Sequence, residues 1–501
     1  MGISLEKLLS NTGPCLSSDL TDALVEKYNY SKDAARQKVS RAGGDIFKLK
    51  GLFPRKTSFV YLKSQFGSHD YWRALHDALL KTNSACGHAM SALYAREGMM
   101  PLEHFKISCG SPLKQKKHSS PEQIIDRLKY ARIVKSLTLN DQEILYLAHF
   151  ENHKFSKISE MQGRLSAEKI LLTGLYRWCR NLGLVSFNHL KIRDKGELPV
   201  VSTTAWDLAG PSYLSGLVSF DKKTSKVKQG FIAMDVLLNQ IVREEDVKPF
   251  IKKVEALKQL KNVGPCIHFF VAFDFSSGAF KLLKENGVSP ATVNNLFGKD
   301  IAEGLTSFIH TLINAAKVIE SPEKLDEVFE KLGKLEGATS QIRGALFEFL
   351  VAEVIRVTTN ASYIELNKVV RTIERLEAEV DVFAPQSVEN CLLFAECKGY
   401  NPNAYLPESE IDKWLDKRIP TIRKYCLENS ELQNKKLIFQ LWSTAKLDEN
   451  SRKKIEEAIS TKTKYQIEIF DQIAITKLLK EKKLEPLFRT YKTHFLGLPS
   501  H

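Results

Sequence analysis

The sequence lacks the features by which several common classes of protein are identified. Its eight cysteines are scattered and form no CxxC pair, so they indicate neither a zinc site nor a dithiol redox centre. No apolar run approaches the roughly 18–20 residues of a membrane-spanning helix, and Glu6 is an acidic residue where a secretory signal would carry basic ones. No GxxxxGK[ST] motif occurs, so an ATP-driven motor would have to be a separate accessory chain. These absences predict a cytoplasmic protein with no membrane partner.

Positive charge is what the sequence has in excess. Lys and Arg number 73 against 59 Asp and Glu, which gives a net charge of +14 over 501 residues. Hydrophobic residues make up 43% of the chain, which is typical of folded rather than disordered proteins. A basic folded protein is expected to bind polyanions, and DNA is the first candidate partner.

Residues 1–120 begin with the element order of a winged helix. We expect a helix over Leu20–Lys27, a second helix over Lys32–Ala42 that Ser31 caps, and a hairpin of Ile46–Lys50 and Thr57–Leu62. The basic residues expected to contact DNA from the second helix and the hairpin are Arg36, Lys38, Arg41, Lys48, Lys50, Arg55 and Lys56. Winged helices also dock proteins, and that alternative stays open.

Residues 121–205 are expected to be helical and to end in a second unit of the same kind. Ser166 would cap a helix that runs to Leu182, and Leu184–Phe187 and Leu198–Ser202 would form its strands. Two basic residues of that helix, Arg177 and Arg180, are further candidates for DNA contact.

From about Trp206 strands alternate with helices, which predicts a mixed α/β fold of sheets flanked by helices. Two regions share this pattern, a middle α/β domain over residues 206–335 and a C-terminal domain over 336–501. The middle domain repeats the element order of the C-terminal one, with Met234 and Asp235 near the position of a C-terminal Glu-x-Lys motif and without a matching lysine. Two interpretations stay open, a degenerate copy of the C-terminal domain or an unrelated α/β domain.

The residues with catalytic potential lie in the C-terminal domain. Glu348 falls on an otherwise apolar helix, and Asp381 falls on a predicted strand. Period-two geometry places Glu396 and Lys398 on one side of the strand Cys391–Lys398. A hairpin centred near residues 388–389 would put Asp381 opposite Glu396. Three carboxylates and one lysine would then converge.

Such a set suits the hydrolysis of a phosphodiester. Mg²⁺ is held in proteins by one or two carboxylates together with water and phosphate oxygens, and it stabilises charge on the reacting phosphoryl group. A nearby lysine can orient or deprotonate the attacking water. Charged residues within an apolar strand are unfavourable unless they are paired, which argues against a merely solvated hairpin.

Asp381, followed after fifteen residues by Glu396-x-Lys398 at a strand end, resembles the signature of the PD-(D/E)XK nuclease superfamily. The residues around it, with Ile438–Trp442 downstream, are most similar to Mrr-type restriction endonucleases, and the resemblance covers residues 341–479. It implies a restriction-endonuclease-like core with Mg²⁺, or Mn²⁺ as a substitute. It further implies that Lys398 is the catalytic lysine and that the metal ligands are Asp381, Glu396, Glu348 and the backbone carbonyl of Cys397. Val380 departs from the proline of the signature.

Taken together, these features predict a metal-dependent endodeoxyribonuclease, and the resemblance suggests a role in restriction or antiviral defence. A homodimer is expected because cutting both strands usually needs two active sites. Two alternatives stay open. One is a non-catalytic, DNA-binding regulatory protein with a structural nuclease-like core, and the other is a nuclease directed at RNA.

Overall fold

The computed structural model has a mixed α/β fold, and this part of the prediction is confirmed. It describes residues 4–54, 57–139, 142–186, 188–193, 195–221, 226–314, 327–328, 330–332, 334–335, 339–359, 361, 363–461 and 463–496. The chain forms two compact units. The first comprises residues 1–137, 144–157 and 182–292, and the second comprises residues 138–143, 158–181 and 293–501. Within the described residues, no helix is long and apolar enough to cross a membrane.

The first unit opens with three helices and a small antiparallel sheet. The elements are α1 (Leu5–Thr12), β1 (Cys15–Leu16), α2 (Ser17–Tyr28), α3 (Lys32–Arg41), β2 (Ile46–Leu49) and β3 (Phe59–Leu62), with strand order β1-β3-β2. Ser31 begins α3 as predicted, because its side chain accepts a hydrogen bond from the Ala34 N–H. Apolar side chains of all three helices pack with β3 in one core. The predicted order of two helices followed by a hairpin is present.

The next stretch is helical with three interposed strands. The elements are α4 (His69–Lys81), α5 (Ala85–Tyr94), β4 (Met99–Pro101), α6 (Leu102–Ser108), α7 (Pro121–Tyr130), β5 (Val134–Leu139), β6 (Gln142–Leu147) and α8 (Lys154–Asn181), and the strands form a sheet of order β4-β6-β5.

The prediction of a second winged helix is wrong. Helix α8 begins at Lys154, so Ser166 lies within it and does not cap it. The residues before Ser166 include Glu, Met, Gln, Arg and Leu, all good helix formers, and the helix therefore extends through the serine. Residues 184–186 form no strand, and Phe187 lies outside the described residues.

A five-stranded mixed sheet completes the first unit. Its strands are β7 (Lys191–Ile192), β10 (Leu208–Ser212), β13 (Gly230–Leu237), β14 (Cys266–Ala272) and β15 (Val288–Thr292), in the order β15-β14-β13-β10-β7. The pairs β7–β10 and β10–β13 are antiparallel, and β13–β14 and β14–β15 are parallel. Helices α9 (Glu244–Lys258) and α10 (Ser277–Glu285) make the two parallel crossovers. Two short hairpins lie beside this sheet in sequence, β8 (Val200–Val201) with β9 (Thr204–Ala205) and β11 (Ser219–Asp221) with β12 (Lys226–Lys228).

The second unit contains another five-stranded mixed sheet. Its strands are β16 (Glu365–Arg371), β17 (Glu377–Gln386), β18 (Cys391–Lys398), β19 (Lys436–Ser443) and β20 (Gln466–Phe470), in the order β16-β17-β18-β19-β20. Its helices are α11 (Val293–Phe297), α12 (Lys299–Asn314), α13 (Thr339–Thr358), α14 (Glu408–Lys413), α15 (Ile419–Glu428), α16 (Glu449–Thr461), α17 (Gln472–Glu481) and α18 (Glu485–His494), and a π-helical turn, Trp414–Arg418, joins α14 to α15.

The two five-stranded sheets have the same pattern of strand directions. In the second sheet β16–β17 and β17–β18 are antiparallel, and β18–β19 and β19–β20 are parallel. Helices connect the parallel strands in both sheets, α9 and α10 in the first and α14–α15 and α16 in the second. The central strand, β13 or β18, is therefore the one at which the direction of pairing changes.

Candidate active site

The hairpin of β17 and β18 places Asp381 beside Glu396. The last residues paired along this hairpin are Val382 and Ala395, so the next positions on the two strands are Asp381 and Glu396. This is the register that the sequence predicts for a turn centred between residues 388 and 389. The Asp381 carboxylate accepts a hydrogen bond of 2.6 Å from the Cys397 N–H, which ties it to the central strand.

Strand β18 is buried over almost its whole length and carries both an acid and a base at its end. Glu396 is 4% exposed, and Nζ of Lys398 lies 2.9 Å from its Oε1. The strand pairs with β17 on one edge and with β19 on the other, and the side chain of Lys398 is 12% exposed. The carboxylate and the ammonium are therefore held together within the fold.

Helix α13 brings Glu348 to the same place. The helix packs against β17 and β18, and it comes into close contact with Gly399, the residue after β18. A Cβ on residue 399 would lie 2.7 Å from the Cβ of Phe347 and 2.8 Å from the carbonyl oxygen of Arg343, so only glycine fits there. Glu348 itself is half-buried. The glycine lets the helix that carries Glu348 lie directly against the strand end.

Two residues of the crossover helix complete the cluster, and sequence reasoning missed both. Arg418, in the π-helical turn, donates from Nη1 to Oε1 of Glu396, and Glu410 on α14 accepts a hydrogen bond of 2.7 Å from Nζ of Lys398. Glu410 also accepts a bond of 2.9 Å from Lys413. The two missed residues are eight positions apart, about two helical turns, so an acid and an arginine on one face of a helical segment were the available signal.

The carboxylates of the cluster repel one another. Burial and the Glu396 carboxylate raise the pKa of Asp381 from its ordinary value of 3.8 to about 8. Burial, followed by the charges of Asp381, Glu379 and Glu396, raises the pKa of Glu348 well above its ordinary range. Burial by itself would lower the pKa of Lys398, but the carboxylates of Glu396 and Asp381 outweigh it and raise that pKa. The centre therefore holds its lysine as a cation and has more negative charge than it readily accommodates.

Glu410 differs from the other carboxylates because it has two cationic partners. Burial would raise its pKa, but hydrogen bonds from Lys398 and Lys413 lower it to about 2. Glu410 is thus a fixed anion that orients the lysine. Asp381 and Glu348 are the acids that a further cation would stabilise most.

The donor set fits Mg²⁺ held by few protein ligands. Among the residues that the structure describes, no group of three His, Cys, Asp or Glu side chains could hold a metal ion. Mg²⁺ commonly binds through one or two carboxylates, with water and substrate phosphate oxygens in the remaining positions. Asp381 and Glu396 supply two such carboxylates, and the raised pKa of Asp381 marks an unrelieved excess of negative charge. The backbone of Cys397 lies at the same strand end, because its N–H contacts Asp381.

The predicted DNA-binding residues are distributed between the two units. Arg36, Lys48 and Lys50 line one polar groove in the N-terminal part of the first unit. Arg36 and Arg41 are exposed, and Lys38 donates a bond of 2.9 Å to the hydroxyl of Tyr30. Arg55 and Lys56 lie outside the described residues.

Arg177 and Arg180 were predicted to lie in a second winged helix. They lie instead on the long helix α8 of the second unit. Arg180 lies over the ring of Tyr176 and donates a bond of 3.2 Å to its hydroxyl.

Comparison with models of protein families, with curated proteins and with solved structures gives no significant match. The geometry of the site therefore has to support any functional conclusion by itself.

Proposed function

We propose that the protein is a metal-dependent endonuclease that hydrolyses phosphodiester bonds of DNA. The observation that carries the proposal is the cluster of Asp381, Glu396 and Lys398 at the end of the central strand, with Glu348 on the adjoining helix. The order of a helix, three antiparallel strands, a crossover helix and a parallel strand supports a restriction-endonuclease-like core, as the resemblance of the motif implies.

In this proposal Asp381 and Glu396 hold Mg²⁺, with the Cys397 carbonyl and Glu348 at its edge. The ion would supply a Lewis acid for the phosphoryl oxygens and a more acidic bound water. Lys398 is a cation within hydrogen-bond distance of Glu396, so it is placed to orient the attacking water and to offset the charge that develops on the phosphate. Arg418 and Lys398 both contact the Glu396 carboxylate, and Arg418 holds it from the π-helical turn. Glu410 restrains the lysine.

The N-terminal part of the first unit would bind the duplex as a winged helix. Its two helices and hairpin have the required order, and the groove beside α3 and β2 is basic. Arg36→Gln together with Arg41→Gln is expected to weaken DNA binding and to reduce its salt dependence by up to about 0.9 per lost phosphate contact. Lys281→Gln with Lys284→Gln, an exposed pair on α10, is the control. An unchanged salt slope would instead identify a protein-docking module.

The biological role that fits best is restriction or defence against foreign DNA by a cytoplasmic homodimer. This role, and any partnership with a separate ATPase, rests on the resemblance of the motif. The alternative of a non-catalytic DNA-binding protein is disfavoured because the two acids and the lysine lie together at the strand end, where Lys398 contacts Glu396 and Asp381 contacts the Cys397 N–H.

The deciding experiment is incubation of the full chain with plasmid, linear duplex, single-stranded DNA and RNA, in Mg²⁺ or in EDTA. We expect DNA cleavage that EDTA abolishes, and Lys398→Ala is expected to reduce it roughly 10²–10⁴-fold, the effect of losing a positioned proton-transfer group. Lys413→Ala is the matched control, because it removes a lysine from the same Glu410 at a position with 58% side-chain exposure. Equal cleavage by parent and Lys398→Ala would refute the site, and cleavage of RNA alone would change the substrate.

A further inference from the structure

The sheet of the first unit carries an acid pair at the same register as the candidate active site. Its hairpin ladder of β10 and β13 begins at Leu208 and Met234, so the next positions on the two strands are Asp207 and Asp235. In the second unit the corresponding ladder begins at Val382 and Ala395, and the next positions are Asp381 and Glu396. Each pair includes an acid of the central strand, which pairs antiparallel with one neighbouring strand and parallel with the other.

A specific hydrogen bond is repeated as well. The Val236 N–H donates to Oδ2 of Asp207 over 2.8 Å, as the Cys397 N–H donates to Oδ2 of Asp381 over 2.6 Å. In both sheets the donor is the residue after the acid of the central strand. Two positions after that acid, the second unit has Lys398 and the first unit has Leu237. The first pair therefore keeps the two acids and lacks the lysine.

The cations around the first pair are internal and fully enclosed. Nζ of Lys253, on crossover helix α9, lies 2.5 Å from Oδ2 of Asp235, and Lys253 is fully buried. The same ammonium donates to the carbonyl oxygens of Ala205 at 2.9 Å and Ile107 at 3.0 Å. Arg193 donates to Oδ1 of Asp207 over 2.8 Å. A carboxylate and two carbonyl oxygens are the kind of oxygen ligands that a hard metal cation takes.

We propose that Asp207 and Asp235 are a second copy of the metal-binding pair, in which the ammonium of Lys253 occupies the place of the metal ion. The copy is neutral because two acids face two bases, whereas in the other centre Asp381, Glu396 and Glu348 face Lys398 and Arg418. The chain would then contain one centre that binds metal and one that has its own cation. Cutting both DNA strands would require a second copy of the chain. The inference rests on the proposed function in one respect, that Asp381 and Glu396 are taken as the metal-binding pair with which Asp207 and Asp235 are compared.

The test is to remove the internal cation and to measure Mn²⁺ binding. Lys253→Met keeps the length and the apolar contacts of the side chain and removes its charge. It is made in full-length Asp381→Asn, so that the first-unit pair is measured without the other centre. We expect the variant to bind one Mn²⁺ per chain by paramagnetic resonance and calorimetry, at least tenfold tighter than the same protein with Asp235→Asn added. A folded Lys253→Met variant that binds Mn²⁺ no better than that control overturns the proposal.

Loss of folding also decides the question. Removing one partner of a buried pair leaves an uncompensated charge, so Lys253→Met is refolded in EDTA and in Mn²⁺ and followed by circular dichroism. Folding that depends on Mn²⁺ supports the proposal. If it folds in neither, Lys253→Gln, which keeps a hydrogen-bond donor, is examined, and failure of both variants in Mn²⁺ overturns the proposal. Failure of the proposed function has a different signature, a parent chain with the same Mn²⁺ binding as Asp381→Asn.

Discussion

Asp381→Asn separates the electrostatic and the metal-binding roles of the candidate site in one variant. The pKa of Asp381 is raised from 3.8 to about 8 in the folded protein. In EDTA, between about pH 4 and 8, the folded protein therefore keeps a proton on Asp381, whereas the unfolded chain releases it. Stability is therefore lost as pH rises from about 4 to 8, by about 1.4 kcal/mol per pH unit at most. At pH 7 the difference reaches up to about 4 kcal/mol. Asparagine needs no proton and can still accept the bond from the Cys397 N–H.

We therefore expect Asp381→Asn to be more stable than the parent at pH 7 in EDTA, by up to about 4 kcal/mol, and its stability to depend less on pH. Urea unfolding at pH 5, 6, 7 and 8 measures both. Mg²⁺ at about ten times its dissociation constant would stabilise the parent by about 1.4 kcal/mol and leave the variant unchanged. Asp416→Asn, on an exposed residue of the crossover, is the control and is expected to change neither quantity. A less stable variant in EDTA, or the same response to Mg²⁺ as the parent, would refute the reasoning.

Further measurements test the packing and the buried charges. Gly399→Ala would push α13 from the strand, since the new Cβ meets Phe347 at 2.7 Å; we expect about 1–3 kcal/mol of destabilisation in urea and slower cleavage. Gly344→Ala, a helical position with open space around its Cβ, is expected to be neutral or stabilising, and equal effects of the two changes would contradict this packing. Burial lowers the pKa of His268 from 6.5 to about 3, so its contribution to stability is present above pH 6.5 and is lost as pH falls. The parent is expected to lose about 2 kcal/mol of stability between pH 6.5 and 5 because of His268, and His268→Phe is expected to avoid that loss. Urea unfolding that shows the same loss of stability in both proteins would contradict this.

The strands of the site were predictable from sequence because their pattern is local. The strand Cys391–Lys398 has the predicted bounds, and the hairpin register follows from the position of the turn. A one-residue slip would have exchanged the faces of the strand, so the apolar neighbours of Glu396 constrain the register strongly. Pairing between these neighbouring strands therefore follows from the local order of apolar and charged residues.

Contacts that depend on the crossover helices were not predictable in the same way. Arg418 reaches Glu396 from a π-helical turn, which a regular helical period does not anticipate. Lys252 and Lys253 are adjacent lysines, yet Lys253 is fully buried on an acid and Lys252 is not. The side of a helix that faces a buried acid is set by tertiary packing. Sequence reasoning therefore noted Asp235 but missed its partner.

The two acid pairs differ in how their charge is balanced, and this difference argues that the two sheets have different roles. Burial of a charge is costly unless another charge or a metal compensates it. Around Asp207 and Asp235 the fold provides that compensation from Arg193 and Lys253, and nothing further is required. Around Asp381 and Glu396 a third carboxylate, Glu348, is added, and the pKa of Asp381 is raised to about 8. A protein that needed only a stable sheet would gain nothing from that excess of acidic groups, which hold protons when no cation is bound. In the proposed centre those groups would have a use, because a divalent cation would relieve the repulsion between the carboxylates and Lys398 would meet the anionic phosphodiester.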